Sequence, residues 1–395
     1  MRIAFVADRS APFYPGGAED RMWNLSRRLA ERHDVRVFTT LAPPEATIDG
    51  VRFVRIVSPL NHPYGTIRRS RFHELLFGLS VTRDWLQGWV PDIAIVEAIP
   101  YIHLPAIRCL SRRRGIRYVL TVNEAWTEYG FLGTRHRTPA DWMISSLLRI
   151  GLRGAQQVVA ISRTTADSLE TSFGARGVRV IPCAVDLEEY KPYQAEYSLR
   201  NHLYDIVSVN RLEPIKRHED LIHALAFMKD SFGWSGKAVI IGSGSLKRKL
   251  QRLVEELSIS DQIDLPGFVS TAERRRIVFE SKLLVLASER EGFSISTLEA
   301  LATGVPAVVA RPGHTEVFGV SEIVHDGING LYYPVGNVKA LAERLWSLLG
   351  NAPLRSRMST LATLEASKFD WESVTKDLES LLTDLEQGHI LGSAS

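Results

Sequence analysis

The chain has 395 residues, 45% of them hydrophobic, which is more than one average core requires, so two domains are expected. No apolar run reaches the roughly 18–20 residues of a membrane helix, and Asp8 and Arg9 interrupt MRIAFVADRS before a signal-peptide core forms, which points to the cytoplasm. The net charge of +3 is uneven, with 25 Arg, no Lys and 19 acids in residues 1–190, yet no zinc finger, helix-turn-helix or aromatic-plus-basic RNA motif accompanies it, so nucleic acid is not an expected partner.

In chain order, short β-branched runs alternate with amphipathic stretches: RIAFVA (2–7), VRVFTT (35–40), VRFVRIV (51–57), DIAIV (92–96), RYVLTV (117–122), QVVAIS (157–162) and VRVIP (178–182). The first intervening stretch, AEDRMWNLSRRLAERH (18–33), sets Met22, Leu25 and Leu29 on one helical face. Strands separated by helices predict an α/β fold with a doubly wound parallel sheet. Cys109 and Cys183 have no neighbouring Cys or His cluster and read as two reduced thiols, without a metal. The polar stretch DLEEYKPYQAEYSLRNH (186–202) breaks the rhythm and is assigned as a linker after an N-terminal domain at 1–185. Strands resume with YDIVSVN (204–210), KAVIIG (237–242), QIDLPGF (262–268), KLLVLAS (282–288) and PAVVA (306–310), forming a second domain at 203–368. A last helix is expected near 369–385, with Val374, Leu378, Leu381 and Leu385 on one face, followed by a disordered tail at 388–395. Ligands of such sheets sit outside the carboxyl ends of strands, and two sheets facing each other would make a cleft.

Four motifs fall at strand ends. In YPGGAED (14–20), Gly16 and Gly17 permit positive φ and close backbone approach before a helix start, as a ligand loop or as a plain turn. In VNRLEPIKRHEDLIHAL (209–225), Arg211 closes a strand and Lys216 enters a helix, a fork and a point charge suited to a diphosphate or, equally by residue type, two solvated cations. In IIGSGSLKRKL (240–250), Gly242 and Gly244 make a tight turn where a base or ribose would lie, although Lys247 stands where a dinucleotide fingerprint has its third glycine. In SEREGFSISTLEA (288–300), Glu291 lies in a loop free to meet a sugar, and Glu299 lies on the following helix, able to accept from ribose hydroxyls. The amides of Ser294 to Thr297 would point at a phosphate. A solvated acid and a capping acid are the alternative reading of the two glutamates.

The ordered set of these motifs, with AISRTTADSLE, VIPCAVDLEEYKP, EALATGVPAVV and HDGINGLYYPVGN, resembles the retaining GT-B glycosyltransferases of glycosyltransferase family 4, over nearly the whole chain. The resemblance implies two Rossmann-like domains facing a cleft, and a helix at 369–387 that returns to the N-terminal domain. It implies that Arg211 and Lys216 grip the diphosphate of a donor and that Glu299 binds its ribose. Glu291 would sit beside the transferred sugar, the backbone near Phe293, Ser294 and Ile295 would touch sugar and phosphate, and the Gly16-Gly17 loop would approach the donor. Val269, just past the QIDLPGF strand, is counted with the donor-binding positions. Three departures stand out: Asn123, in LTVNEAW, replaces a histidine common near the sugar; Cys183-Ala184 replaces Asn-Gly; and PGHTE, with Gly313, His314 and Glu316, replaces a GG-x-P-E loop. Asparagine can donate to a sugar hydroxyl but cannot shuttle a proton. His103 is the nearest histidine by sequence, and a core histidine at a helix start is its favoured reading.

The expected reaction is transfer of a sugar from a UDP- or GDP-sugar to an acceptor hydroxyl with retention, in polysaccharide, glycolipid or glycoconjugate synthesis, without a metal or other cofactor. No Asp-x-Asp pair occurs. The alternatives are a sugar-nucleotide epimerase on the same fold, which would epimerise the donor without an acceptor, and a degenerate, non-catalytic binding subunit, which would show no turnover. The acceptor, whether a glycan, a lipid-linked or a small molecule, is not legible. TIRRSRFHELLFGLSVTRDWLQGW (66–89) and SSLLRIGLRG (145–154) mix Arg with large apolar residues, either as peripheral contacts with anionic membrane or as ordinary amphipathic helices packed on the sheet.

Overall fold

The computed structural model describes residues 1–14, 16–40, 42–43, 45–56, 76–81, 83, 88–125, 138–193, 200–313 and 318–388. It divides into two units, Met1–Cys183 with Trp371–Ser395, and Ala184–Asp370. The PGHTE departure at 314–316, most of the 66–89 stretch and nearly all of the expected tail lie outside the described residues.

The first unit is built on an eight-stranded sheet of β1 (Arg2–Val6), β2 (Asp34–Thr39), β3 (Glu45–Ile48), β4 (Val51–Arg55), β5 (Ile93–Glu97), β6 (Arg117–Val122), β7 (Gln157–Ala160) and β8 (Arg179–Val180). Its order is β3-β4-β2-β1-β5-β6-β7-β8. All neighbours are parallel except β3 and β4, which form an antiparallel hairpin. That edge hairpin was not anticipated. Its signal is Asp49-Gly50, both at positive φ (48° and 77°), the dipeptide favoured in two-residue hairpin turns. The central strands are buried along their length, as parallel strands covered on both faces must be.

The helix Gly17–Leu29 follows β1 and buries Met22, Leu25 and Leu29, the face its spacing predicts. The last helix, Trp371–Glu386, returns to this unit. It buries Val374, Leu378, Leu381 and Leu385, each worth about 1.5–3 kcal/mol if fully removed from water, and packs against Gly17–Leu29. Glu379 on it accepts two bonds from Arg32 (3.0 and 2.8 Å) and lies 2.8 Å from His33 Nε2, and the Arg32 guanidinium holds its carboxyl below the usual range. His103 is wholly buried at the start of the helix Leu104–Arg114, the core reading of that residue.

The second unit is a six-stranded, all-parallel sheet of β9 (Tyr204–Val209), β10 (Ala238–Ile241), β11 (Ile263–Gly267), β12 (Ser281–Leu286), β13 (Ala307–Arg311) and β14 (Gly330–Pro334). Its order is β11-β10-β9-β12-β13-β14. The strand β14 was not separately predicted; GLYYP is short and capped by proline, which hides its period. Within the stretch read as a linker, Leu187–Tyr190 is a short helix, and Tyr190 is buried beneath the Arg275 guanidinium of this same unit.

In both sheets the chain runs outward from a central strand in each direction. The order reverses between β1 and β5 in the first and between β9 and β12 in the second. At such a point the connecting loops leave on opposite faces, and a crevice opens beyond the carboxyl ends of the strands.

Candidate active site

Arg211 and Lys216 follow β9, while Glu291 to Ile295 follow β12, so the order reversal of the second sheet brings these two loops side by side. The backbone ties them together: the amide of Glu289 donates to the carbonyl of Ile215 at 2.9 Å. Lys216 ends a short turn, Pro214–Lys216, that starts from extended Glu213 and leaves through left-handed Arg217 (φ 48°). That reversal aims its ammonium at the β12 loop, where Nζ meets Glu291 Oε1 at 2.5 Å. The two side chains are only 12% and 9% exposed. The spacing suggested separate tasks for Lys216 and Glu291; the structure makes them one ion pair. Glu291 is held from behind as well, since its carbonyl accepts from the Gly319 amide at 2.9 Å. Arg211, by contrast, is exposed and its guanidinium has no ion-pair partner among the described residues.

Arg211 is placed from below by His218, which is 1% exposed and whose Nε2 lies 3.2 Å from the Arg211 carbonyl. Burial lowers the His218 pKa to about 4, so the ring is neutral near pH 7 and its Nε2–H donates to that carbonyl. Gly242 and Gly244 are placed by the same loop. A β-carbon on Gly242 (φ 150°) would come within 1.8 Å of the Asn210 carbonyl oxygen, and one on Gly244 within 2.4 Å of the Leu212 oxygen. The Leu212 amide donates to Ser243 and the Leu246 amide to Leu212, each at 2.9 Å. The glycine turn is thus a bed for the Arg211 loop.

Ser294 is left-handed (φ 80°, ψ 83°) and begins the helix Ile295–Ala302, whose first amides have no partner within the helix. Its hydroxyl is 2.8 Å from that of Thr297. The Phe293 ring is buried against Phe369, which fixes the loop and leaves only its backbone for a ligand. Glu299, on the helix, accepts from Arg274 at 2.7 Å, leaving its second oxygen without a partner among the described residues. Val269 is half-buried just past β11, beside Phe268, which is 66% exposed. Arg274, His218 and Phe268 escaped the sequence reading. Only Phe268 carried a signal, an aromatic residue on a strand end.

Gly16 and Gly17 lie in the first unit after β1, at its order reversal, while Asn123 follows β6, the strand beyond β5. Gly16 caps the helix in extended conformation (φ 172°), and neither glycine takes the positive φ that the sequence reading allowed them. The close neighbour of Gly16 is the Glu19 carboxylate, 2.1 Å from where a β-carbon would stand. Asn123 Nδ2 donates to Glu97 Oε2 at 2.7 Å.

A 32% identical stretch of 234 residues covers 58% of the chain and 23% of the exopolysaccharide phosphotransferase SCO2592 of Streptomyces coelicolor, a much longer protein. The MMP alpha-(1->4)-mannosyltransferase of Mycolicibacterium hassiacum is 26% identical over 409 residues, covering 95% of this chain and 96% of that one. Among solved structures, Anabaena Alr3699/HepE in complex with UDP-glucose superposes with a TM-score of 0.74 at 18% identity, over 97% of this chain and 100% of that one, a likeness of fold. The family described as Glycosyltransferase Family 4 matches residues 15–189 and Glycosyl transferases group 1 matches residues 191–365, so the chain belongs to the GT-B glycosyltransferases of these families.

Proposed function

We propose that this glycosyltransferase takes its sugar from a nucleoside diphosphate donor, transfers it with retention of configuration, and needs no metal to do so. The observation that carries the reading is the nearly buried Lys216–Glu291 pair between the β9 and β12 loops, with the exposed Arg211 and the amides of Ile295–Ala302 around it. Lys216, Arg211 and the helix amides supply positive potential for the diphosphate, so the charge that develops as the glycosidic bond breaks falls on groups already in place. Glu299, with one oxygen unpartnered among the described residues, accepts from ribose hydroxyls, and Phe268 with Val269 flanks the base. In the transfer, the bond from C1 to the diphosphate oxygen breaks and the acceptor oxygen bonds to C1 on the same face. The acceptor proton passes to a donor phosphate oxygen, so no protein base is required. Alr3699/HepE, of the same fold, is solved with UDP-glucose, which makes that donor the first to test.

Thermal unfolding with UDP-, GDP- and ADP-sugars is the test, followed by assay of donor hydrolysis. The matching donor, at a hundredfold over its Kd, is expected to raise Tm by on the order of 5 °C. If no nucleotide sugar stabilises the protein, the proposal fails.

A second part of the proposal concerns the acceptor side. The 145–154 stretch forms the end of the helix Pro139–Leu152 and buries Leu148 and Leu152, as an ordinary packed helix does. One turn earlier, Trp142 and Met143 are 59% and 41% exposed, with Arg149 further along the same helix. Arg149 stacks on Phe173 and donates to the Ser172 carbonyl, so the exposed indole and thioether carry the case for a bilayer surface, where a lipid-linked acceptor would be held. No helix among the described residues is long and apolar enough to cross a membrane. Flotation with phosphatidylglycerol vesicles is expected to carry the wild type and to leave W142S/M143S behind. Equal flotation of both, or of neither, rejects the surface.

A further inference from the structure

In the first sheet β5, at the order reversal, ends in Glu97; its neighbour β6 leads into Asn123, and Arg21 reaches Glu97 from the helix Gly17–Leu29. Glu97 is 7% exposed and Arg21 is 2% exposed. Arg21 Nη1 lies 4.0 Å from Glu97 Oε1, and its Nη2 donates to the Ile181 carbonyl at 3.0 Å. A carboxyl group at the end of a central strand is expensive to bury, and a single long ion pair offsets that only in part. Asn123 completes the cluster by donating from Nδ2 to Glu97 Oε2 at 2.7 Å, which fixes its amide plane. Its Oδ1 has no hydrogen-bond partner among the described residues. That oxygen is itself buried, and a buried acceptor left unsatisfied is costly, so a hydroxyl that reaches it gains a hydrogen bond the folded chain does not supply.

We propose that Glu97 is a positioning residue for sugar transfer: through the Glu97–Asn123 hydrogen bond it turns the Asn123 amide so that Oδ1 accepts from a substrate hydroxyl. This rests on the proposed transferase reading. The groups facing Glu97 are Arg21 and Glu19 from the helix, Asn123 from the end of β6, and Cys183 beyond β8. Burial dominates among them and pushes the Glu97 pKa up to about 7, against the lowering effect of Arg21 and of the Asn123 bond. Above about pH 7 the carboxylate accepts from Nδ2 and Oδ1 faces the substrate. Below it the protonated carboxyl becomes a donor, Oδ1 is its natural partner, and the amide turns round. Hydroxyl binding at Asn123 is therefore lost as pH falls through about 7. Cys183 does not compete, because burial pushes its thiol up to about 12.

The test has a structural arm and a kinetic arm. In protein labelled with 15N-asparagine, the side-chain pair of Asn123, assigned by its loss in N123S, is expected to shift with a midpoint near pH 7 in the wild type and to stay fixed in E97Q. The glutamine amide that E97Q introduces accepts from Nδ2 or donates to Oδ1 without titrating, so the Asn123 amide is held either way round at every pH. In the kinetic arm, kcat/KM of the wild type with UDP-glucose, or with the donor that thermal shift selects, falls about fivefold from pH 7 to pH 6 and about tenfold from pH 8 to pH 6. E97Q loses roughly three- to tenfold at pH 8 but has a flat profile from about 6 to 8, and N123S loses about tenfold or more, also with a flat profile. Asn123 signals that do not move with pH overturn the inference, and this wild-type measurement stands even if E97Q does not fold. An E97Q profile with the wild-type acid limb overturns it as well. Neither result touches the donor site, whose failure shows instead as absence of thermal stabilisation by nucleotide sugars.

Discussion

Replacing Lys216 by alanine is expected to lower kcat/KM for donor turnover by roughly 10²–10³-fold, the scale of losing one preorganised charged contact to a developing oxyanion. The same change strands Glu291, whose side chain is only 9% exposed, without its counter-ion at 2.5 Å. Removing one partner of a buried pair costs about 3–5 kcal/mol, so K216A should also melt several degrees lower. Loss of activity alone would therefore not separate a diphosphate contact from a structural strut. The double variant K216A/E291Q does. Removing the stranded charge is expected to restore most of the melting temperature, because a neutral amide tolerates the partly closed site. If Lys216 serves the diphosphate, turnover stays down. If the pair is only a strut between the β9 and β12 loops, turnover returns with stability, and the assignment of Lys216 is wrong. Arg211 gives the complementary case. It is exposed and has no ion-pair partner among the described residues, so its removal bears on the ligand and leaves the fold in place.

What the sequence made legible follows from which interactions are local. Period and composition located most strands of both sheets, and the spacing of Val374, Leu378, Leu381 and Leu385 gave the buried face of the last helix. Those signals are written within short segments of chain. The β3–β4 hairpin was missed because β3 is only four residues long, although its Asp-Gly turn was visible. The site was legible at the level of loops, because a strand end followed by a helix start is a local pattern. Its pairings were not. Lys216 and Glu291 are 75 residues apart, Arg274 and Glu299 are 25 apart, and Asn123 and Glu97 are 26 apart. Each pair depends on strand order in a sheet, which sequence spacing does not encode. Asn123 illustrates the cost: read alone it was a missing histidine, whereas read with Glu97 and Arg21 it belongs to a buried charged cluster.

Gly242→Ala is expected to be the most damaging single methyl addition in the second unit, lowering stability by about 3 kcal/mol or more. Two causes add. The residue sits at φ 150°, where an L side chain is strained, and the new carbon would stand 1.8 Å from the Asn210 carbonyl oxygen. That oxygen is backbone, one residue past β9, so no rotamer change relieves the clash. The turn or the strand end has to move. The strand end carries Arg211 as its next residue, and the amide of Leu212 is bonded to Ser243 within the same turn. A displacement of about 1 Å is enough to spoil a charged contact that works by preorganisation. G242A should therefore lose donor-induced stabilisation along with basal Tm. Gly313→Ala serves as the control, since a β-carbon there meets nothing within 4 Å among the described residues. The comparison also decides what the glycine is for. If G242A keeps its basal Tm and loses only the response to donor, then the glycine makes room for the ligand, and its role as a bed for the Arg211 loop is rejected. If basal Tm and donor response fall together while G313A keeps both, the steric argument stands, and the 242–244 turn acts on the donor through Arg211.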